Sequence, residues 1–166
     1  NRLVATLVRQ VRQDEPHRKL VIGSNKWQST GTFDQLRIPA GDRDIILSFH
    51  FYTPMLVTHY RASWTEVGKY RGPVSYPGQL VAPEEVAQLD PQIARIVKGN
   101  NGVYDRAKLE SLLAKPLALA KQLDLPLYCG EWGALPTTPR EVRMQWYRDM
   151  RTNLEKHGIA WANWDY

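Results

Sequence analysis

Glu131 closes an apolar run of strand length, Pro126-Leu127-Tyr128-Cys129-Gly130-Glu131-Trp132-Gly133. A carboxylate at the end of a buried strand must be paired or hydrogen-bonded, because an isolated buried charge is too costly. Three other apolar runs end on residues of related character. Trp27 follows Leu20-Val21-Ile22-Gly23, His50 and Tyr52 end the run that starts at Ile45, and Asn163 with Trp164 ends the run from Ile159. Indole, phenol and imidazole rings suit a sugar: their faces stack on the apolar faces of pyranose rings, and their polar edges reach hydroxyls. Glu131 would be the charged centre of such a site. Each residue also has a structural reading, in which the tryptophans are core and His50 is a satisfied buried histidine. Tyr52, on the same strand face as His50, weighs against that reading.

These residues share a site only if the elements bring the run ends together. Leu3, Val4, Leu7, Val8 and Val11 recur at helical spacing and predict a helix over 2–13 with one buried face. Asp14-Glu15-Pro16 ends it, since the residue before a proline avoids helical angles. Strands are expected over 20–23, 45–52, 126–131 and 159–164. Residues 28–43 are polar, with Gly31, Pro39, Gly41 and Asp42 as turn signals. Residues 53–83 form a long connection, of the kind that is functional or holds small elements of its own. A helix is expected over 83–98. Another is expected over 105–123, capped by Asp105 and kinked at Pro116. A last helix opens on the capping box Thr138-Pro139-Arg140-Glu141 and stops at Gly158. Apolar strands separated by helices or long crossovers imply an α/β fold with a parallel sheet. In such folds the ligand sits at the carboxyl ends of the strands, which is where all four runs carry their polar and aromatic residues.

Composition narrows the function classes. The 166 residues carry 43% hydrophobic and 23% charged side chains, enough for one domain with a core. The net charge of +5 comes from scattered basic residues rather than a dense tract, which argues against a nucleic-acid partner. Cys129 is the only cysteine, so neither an internal disulfide nor a cysteine-built metal cluster is available, and no cofactor or metal is expected. No apolar stretch reaches the roughly 18 residues of a membrane span, no signal peptide is visible, and no membrane partner is expected.

The motifs resemble a known family. His50-Phe51-Tyr52, Gly130-Glu131-Trp132-Gly133 and Trp161-Ala162-Asn163-Trp164 are similar to the second half of a family 5 glycoside hydrolase, a cellulase-like (β/α)8 barrel. The likeness extends through Thr58-His59, Ala62-Ser63-Trp64 and Tyr76-Pro77, and so covers nearly the whole chain. It implies a parallel half-barrel over residues 1–166, a single partial domain. The four strands would be the fifth to eighth of the barrel and the first helix its fourth. The family chemistry is retaining hydrolysis by two carboxylates. By resemblance Glu131 is the nucleophile, Tyr52 fixes it through its hydroxyl, and His50 hydrogen-bonds the sugar or the acid/base. Trp27 and Trp164 are implied as stacking platforms, with Trp64 as a contact from the long connection. The implied partner is a β-glucan oligosaccharide or polysaccharide cleaved endo at β-1,4 bonds, which puts the parent enzyme in the medium or periplasm.

The second carboxylate is missing from the pattern. In the family it belongs to an Asn-Glu-Pro motif, which these residues lack. Glu15-Pro16 falls between a helix and a strand, at the opposite end of the barrel from the site. Asp165 lies beyond the last strand, and Glu66, Glu84 and Glu85 are expected to be solvated. The expectation is a half-barrel that is weak or inactive alone, completed as a homo-oligomer, a dimer, or by an N-terminal half-barrel. Two other readings stand beside it. A non-catalytic carbohydrate-binding module would keep Trp27, Trp64 and Trp164 and make Glu131 dispensable. An α/β scaffold would use the run-end residues as core.

Overall fold

The structure is a computed structural model and describes residues 2–164; Asp165 lies outside the described residues. Strands β1 (Leu20–Gly23) and β2 (Ile45–Phe51) come first in the chain, and β5 (Leu127–Trp132) and β6 (Ala160–Asn163) last. They form one sheet in the order β1-β2-β5-β6, parallel throughout. Between them, β3 (Gly78–Gln79) and β4 (Val103–Tyr104) make a small antiparallel pair inside the long connection. No helix among the described residues is long and apolar enough to cross a membrane.

The core lies between the sheet and its helices. Ile45, Leu47, Phe49 and Phe51 alternate along β2 and are at most 2% exposed. They share one apolar cluster with Trp146, Met150 and Leu154 of the helix Arg140–Lys156, and with Leu109 and Leu113. By strand alternation Ile46, Ser48 and His50 take the opposite face. The register contains one irregularity that matters for the site. Phe49 pairs with Cys129, but His50 pairs with Glu131, so Gly130 is an extra residue on β5. On the other side β6 meets the same irregularity, with Trp161 opposite Cys129 and Asn163 opposite Trp132.

The helix Arg2–Asp14 forms as its periodicity implies, but only Val8 on it is fully buried; Leu3 is 70% and Leu7 51% exposed. Its apolar face is wider than the surface the described residues offer it. The helix is tied down instead by charge. Arg12 donates to Asp42 (2.9 Å) and to the backbone carbonyl of Arg18 (2.8 Å). Glu15 pairs with Arg18 in the turn before β1, at the amino ends of the strands, as its position in the sequence implied.

Three element boundaries differ from the sequence reading. The helix expected over 83–98 is two, Pro83–Ala87 and Pro91–Asn100. The Asp90 carboxylate accepts from the Gln92 N–H, and Pro91 takes the first helical position, a start signal strong enough to restart the helix. The helix expected over 105–123 breaks after Ser111 and resumes at Ala114. Pro116 therefore sits in a first turn, where no intrahelical N–H is needed, and causes no kink. Asp105 does cap, accepting from Lys108 N–H at 2.7 Å. The capping box at Thr138 does not form: the helix starts at Arg140 with Pro139 at the N-cap position, and the Thr138 hydroxyl donates to the Val57 carbonyl at 2.6 Å. That bond fastens the segment after β5 to the short helix Met55–Thr58 after β2. Gly158 ends its helix with φ +62°, as a left-handed closing residue should.

Candidate active site

At the carboxyl ends of β2 and β5 three side chains converge. The Tyr52 hydroxyl donates to Glu131 Oε2 at 3.1 Å, and His50 Nδ1 lies 3.3 Å from the same oxygen. Burial holds the His50 ring below the ordinary histidine range, with the Glu131 charge opposing it. The sequence reading gave His50 to the sugar or the acid/base; its contact here is Glu131 itself. Both contacts fall on Oε2. Oε1 has no protein partner among the described residues, and no lysine or arginine forms an ion pair with this carboxylate there.

The bulge makes this meeting possible. With an unbroken register Gly130 would oppose His50, and Glu131 would turn toward the helices opposite Phe51. Gly130 also keeps the approach open. A Cβ there would stand 3.0 Å from Ser48 Oγ and 3.6 Å from His50 Nε2.

Glu131 and Tyr52 open into a cleft of about 210 Å³ that also takes in His59, Trp64, Gly133 and Trp164. Trp64 is 64% and Trp164 44% exposed, and both line this cleft. His59 stands edge-on between Tyr52 (ring centroids 5.1 Å) and Trp64 (6.4 Å). Trp164 is set by the end of β5: its backbone N–H and the Asn163 side-chain amide both donate to the Trp132 carbonyl at 2.8 Å. Gly133 allows that approach, because a Cβ there would lie 2.6 Å from the Trp164 carbonyl oxygen. Trp132 anchors the arrangement from the core, against Trp146, Tyr147 and Trp161. No group of three metal-ligating side chains occurs among the described residues.

The cellulase family model, glycosyl hydrolase family 5, matches residues 1–166. The chain belongs to glycosyl hydrolase family 5. Among its relatives, endoglucanase C of Acetivibrio thermocellus is 31% identical over 167 residues, covering 100% of this chain and 48% of that protein. The cellulose synthase subunit Z of Clostridioides difficile superposes with a TM-score of 0.76 at 19% identity, over 100% of this chain and 47% of that one. Thermotoga maritima Cel5A, solved in complex with cellobiose, superposes with a TM-score of 0.75 at 20% identity, over 100% of this chain and 46% of that one. The chain thus spans about half the length of the curated relatives it matches. Its four parallel strands and flanking helices are the fold of a family 5 half-barrel.

Of the residues singled out from sequence, Glu131, His50, Tyr52, Trp64 and Trp164 come together at this family 5 cleft or its floor. Trp27 does not. It is 89% exposed and outside the cleft lining, on a turn in which Lys26, Trp27 and Gln28 all have positive φ (52°, 54° and 59°). Three successive left-handed residues carry the ring outward before Ser29 rejoins the sheet beside His50. Glu66, Glu84 and Glu85 are exposed and away from the cleft lining, as expected. His59 is the site residue that strand-end reasoning passed over, because it sits seven residues beyond Tyr52 in the long connection; the Thr58-His59 pair was its only signal.

Proposed function

We propose that this chain supplies the nucleophile side of a retaining β-glycosidase that cleaves β-1,4-linked glucan internally. The observation that carries the reading is the meeting of Tyr52 and His50 on Glu131 Oε2, with Oε1 unpartnered among the described residues, on a carboxylate that lines a cleft shared with Trp64 and Trp164. Oε1 attacks the anomeric carbon as the glycosidic C–O bond breaks, and the departing oxygen takes a proton from a second carboxyl group. Water then attacks the glycosyl ester, gives its proton to that same group, and releases Glu131. The Tyr52 hydroxyl orients Glu131 and no lysine or arginine pairs with it among the described residues, so the carboxylate is available to balance the positive charge that develops on the sugar ring.

A retaining site needs its second carboxyl about 5–5.5 Å from the nucleophile. Glu131 is the one acidic residue lining the cleft among the described residues. The acid/base in this proposal comes from residues other than these 166, on the remaining barrel half, and these residues alone turn over little or nothing. The endoglucanase relative, about twice as long, and the Cel5A neighbour solved with cellobiose support a β-glucan as the ligand. A polymeric substrate lies outside the cell, which places the parent enzyme there.

The test is a 2-deoxy-2-fluoro-cellobiosyl fluoride incubated with the full-length protein and read by peptide mass spectrometry. A glycosyl adduct on Glu131 is expected, and none in Glu131→Gln. An adduct on a different residue, or saturable cello-oligosaccharide binding with neither adduct nor turnover, would replace the hydrolase reading with that of a binding module.

A further inference from the structure

We propose that Thr58 is a positioning residue that fixes the tautomer of His59, so that His59 Nε2 meets the ligand as a hydrogen-bond acceptor. Thr58 is 2% exposed and its hydroxyl has three neighbours: the Tyr52 carbonyl oxygen at 2.7 Å, the Pro54 carbonyl oxygen at 3.4 Å and His59 Nδ1 at 3.0 Å. A hydroxyl has one proton, and a carbonyl can only accept. The short contact assigns that proton to Tyr52 O. Toward Nδ1 the hydroxyl therefore presents a lone pair, and Nδ1 must carry the hydrogen. Two lone pairs facing each other at 3.0 Å would be the alternative, and burial makes that repulsion expensive.

The consequence falls on the other ring nitrogen. Burial keeps His59 below the ordinary histidine range and favours the neutral ring. A neutral ring with its proton on Nδ1 has a bare lone pair on Nε2. That nitrogen has no protein partner among the described residues, and its ring lines the cleft. The T-shaped packing on Tyr52 and Trp64 restrains the ring from turning over. In water a histidine side chain favours the opposite tautomer, so the buried hydroxyl is the feature that sets this one. An Nε2 acceptor selects a hydroxyl as its partner and repels carboxylate, ether and carbonyl oxygens. It therefore favours neutral polyhydroxylated sugar over an acidic one at this point beside Trp64. Thr58 also accepts on its own carbonyl from the Leu135 N–H at 3.0 Å, so one residue ties together the Tyr52 backbone, the His59 ring and the segment after β5.

The tautomer claim stands on ligand-free geometry; the ligand claim rests on the glycan reading given above. Long-range 1H–15N correlation on full-length protein carrying 15N-labelled histidine tests the first. His59 should give a protonated Nδ1 and a bare, pyridine-like Nε2. In Thr58→Val, nearly isosteric but without the hydroxyl, the His59 proton should move to Nε2, and Thr58→Ser should restore the wild-type pattern. A wild-type His59 protonated on Nε2, or a Thr58→Val spectrum unchanged at His59, would overturn the assignment. If Thr58→Val does not fold, the wild-type and Thr58→Ser spectra still decide it. Calorimetric titration of cellotetraose into the Glu131→Gln background tests the second claim. Adding Thr58→Val should weaken binding about tenfold, and Thr58→Ser should recover it. Equal affinity with a shifted tautomer would overturn the ligand claim alone. No cellotetraose binding in the Glu131→Gln background would overturn the glycan reading while the spectra continued to judge Thr58.

Discussion

Tyr52 and Glu131 meet across two strands, hydroxyl to Oε2 at 3.1 Å, because Tyr52 lies one residue beyond the end of β2 while Glu131 is turned by the Gly130 bulge on β5. The bond is made to a charged acceptor and is worth about 1.5–3 kcal/mol in such settings. Tyr52→Phe removes it while keeping the ring against His59. The full-length protein with this change should lose about 10- to 100-fold in kcat/KM on soluble cello-oligosaccharide, with little change in unfolding midpoint. An unchanged kcat/KM would remove Tyr52 from the machinery.

Glu131→Gln keeps the shape of the side chain and removes its charge. If Glu131 is the nucleophile, kcat should fall by at least about 10⁴-fold. Added azide or formate with the smaller Glu131→Ala should restore turnover of an activated aryl glycoside by attacking from the vacated position. Retained activity in Glu131→Gln would eliminate the double-displacement scheme.

The same two residues mark what could be read before the structure. The four strands were visible because each is an apolar run bounded by turn residues, and the carboxyl-end rule then gathered Glu131, His50, Tyr52 and Trp164 at one edge. Three things were less legible. The bulge leaves only Gly130 as its trace, and a glycine in a strand has several meanings. Trp27 follows its strand with no glycine or asparagine at the positions that turn left-handed, so nothing local warned that the ring would swing outward. The Thr138 capping box satisfied every local rule, yet the helix opened one residue later, with Pro139 at the N-cap position and Thr138 fastened to the Val57 carbonyl, remote in sequence. Local chemistry foretold the elements; the contacts between distant segments decided which of those residues reached the cleft.

Gly133→Ala tests whether Trp164 is held by backbone proximity. The added methyl would lie 2.6 Å from the Trp164 carbonyl oxygen and 3.3 Å from the Tyr147 hydroxyl. Overpacking of this kind costs about 1–3 kcal/mol. The expected result is a lowered urea midpoint together with a raised KM for cello-oligosaccharide, as the indole shifts from the cleft. Loss of stability with an unaltered KM would show that Trp164 position and ligand binding are unconnected.

His50 and His59 make stability depend on pH. Burial lowers both rings from 6.5, opposed at His50 by Glu131. Above about pH 6.5 folded and unfolded histidines are alike neutral and the full stability is present. As pH falls through 6.5 the unfolded chain binds protons that the folded one refuses, so stability drops until the folded rings themselves protonate. The urea midpoint should fall between pH 7 and 5, and His59→Asn should flatten the slope in that window. A slope unaltered by His59→Asn would assign it to other groups.

The last expectation concerns the sheet edges. Among the described residues β1 and β6 each pair on one side only, which leaves rows of backbone donors and acceptors open to another chain. Apolar surface is also uncovered: Val21 on β1 is 58% exposed, and Leu7 and Leu3 on the helix Arg2–Asp14 are 51% and 70% exposed. An open parallel edge carrying an exposed valine is a template for association, because pairing satisfies the backbone and burial removes apolar area in one step. Expressed by themselves, these 166 residues should therefore self-associate at micromolar concentration in sedimentation velocity, whereas a protein carrying both barrel halves, with these edges covered, should sediment as a monomer. Val21→Lys should reduce the association by placing a charge at the edge. A compact monomer with a single cooperative unfolding transition would mean that the half-barrel closes its own edges, and the requirement for a second half would fall with it.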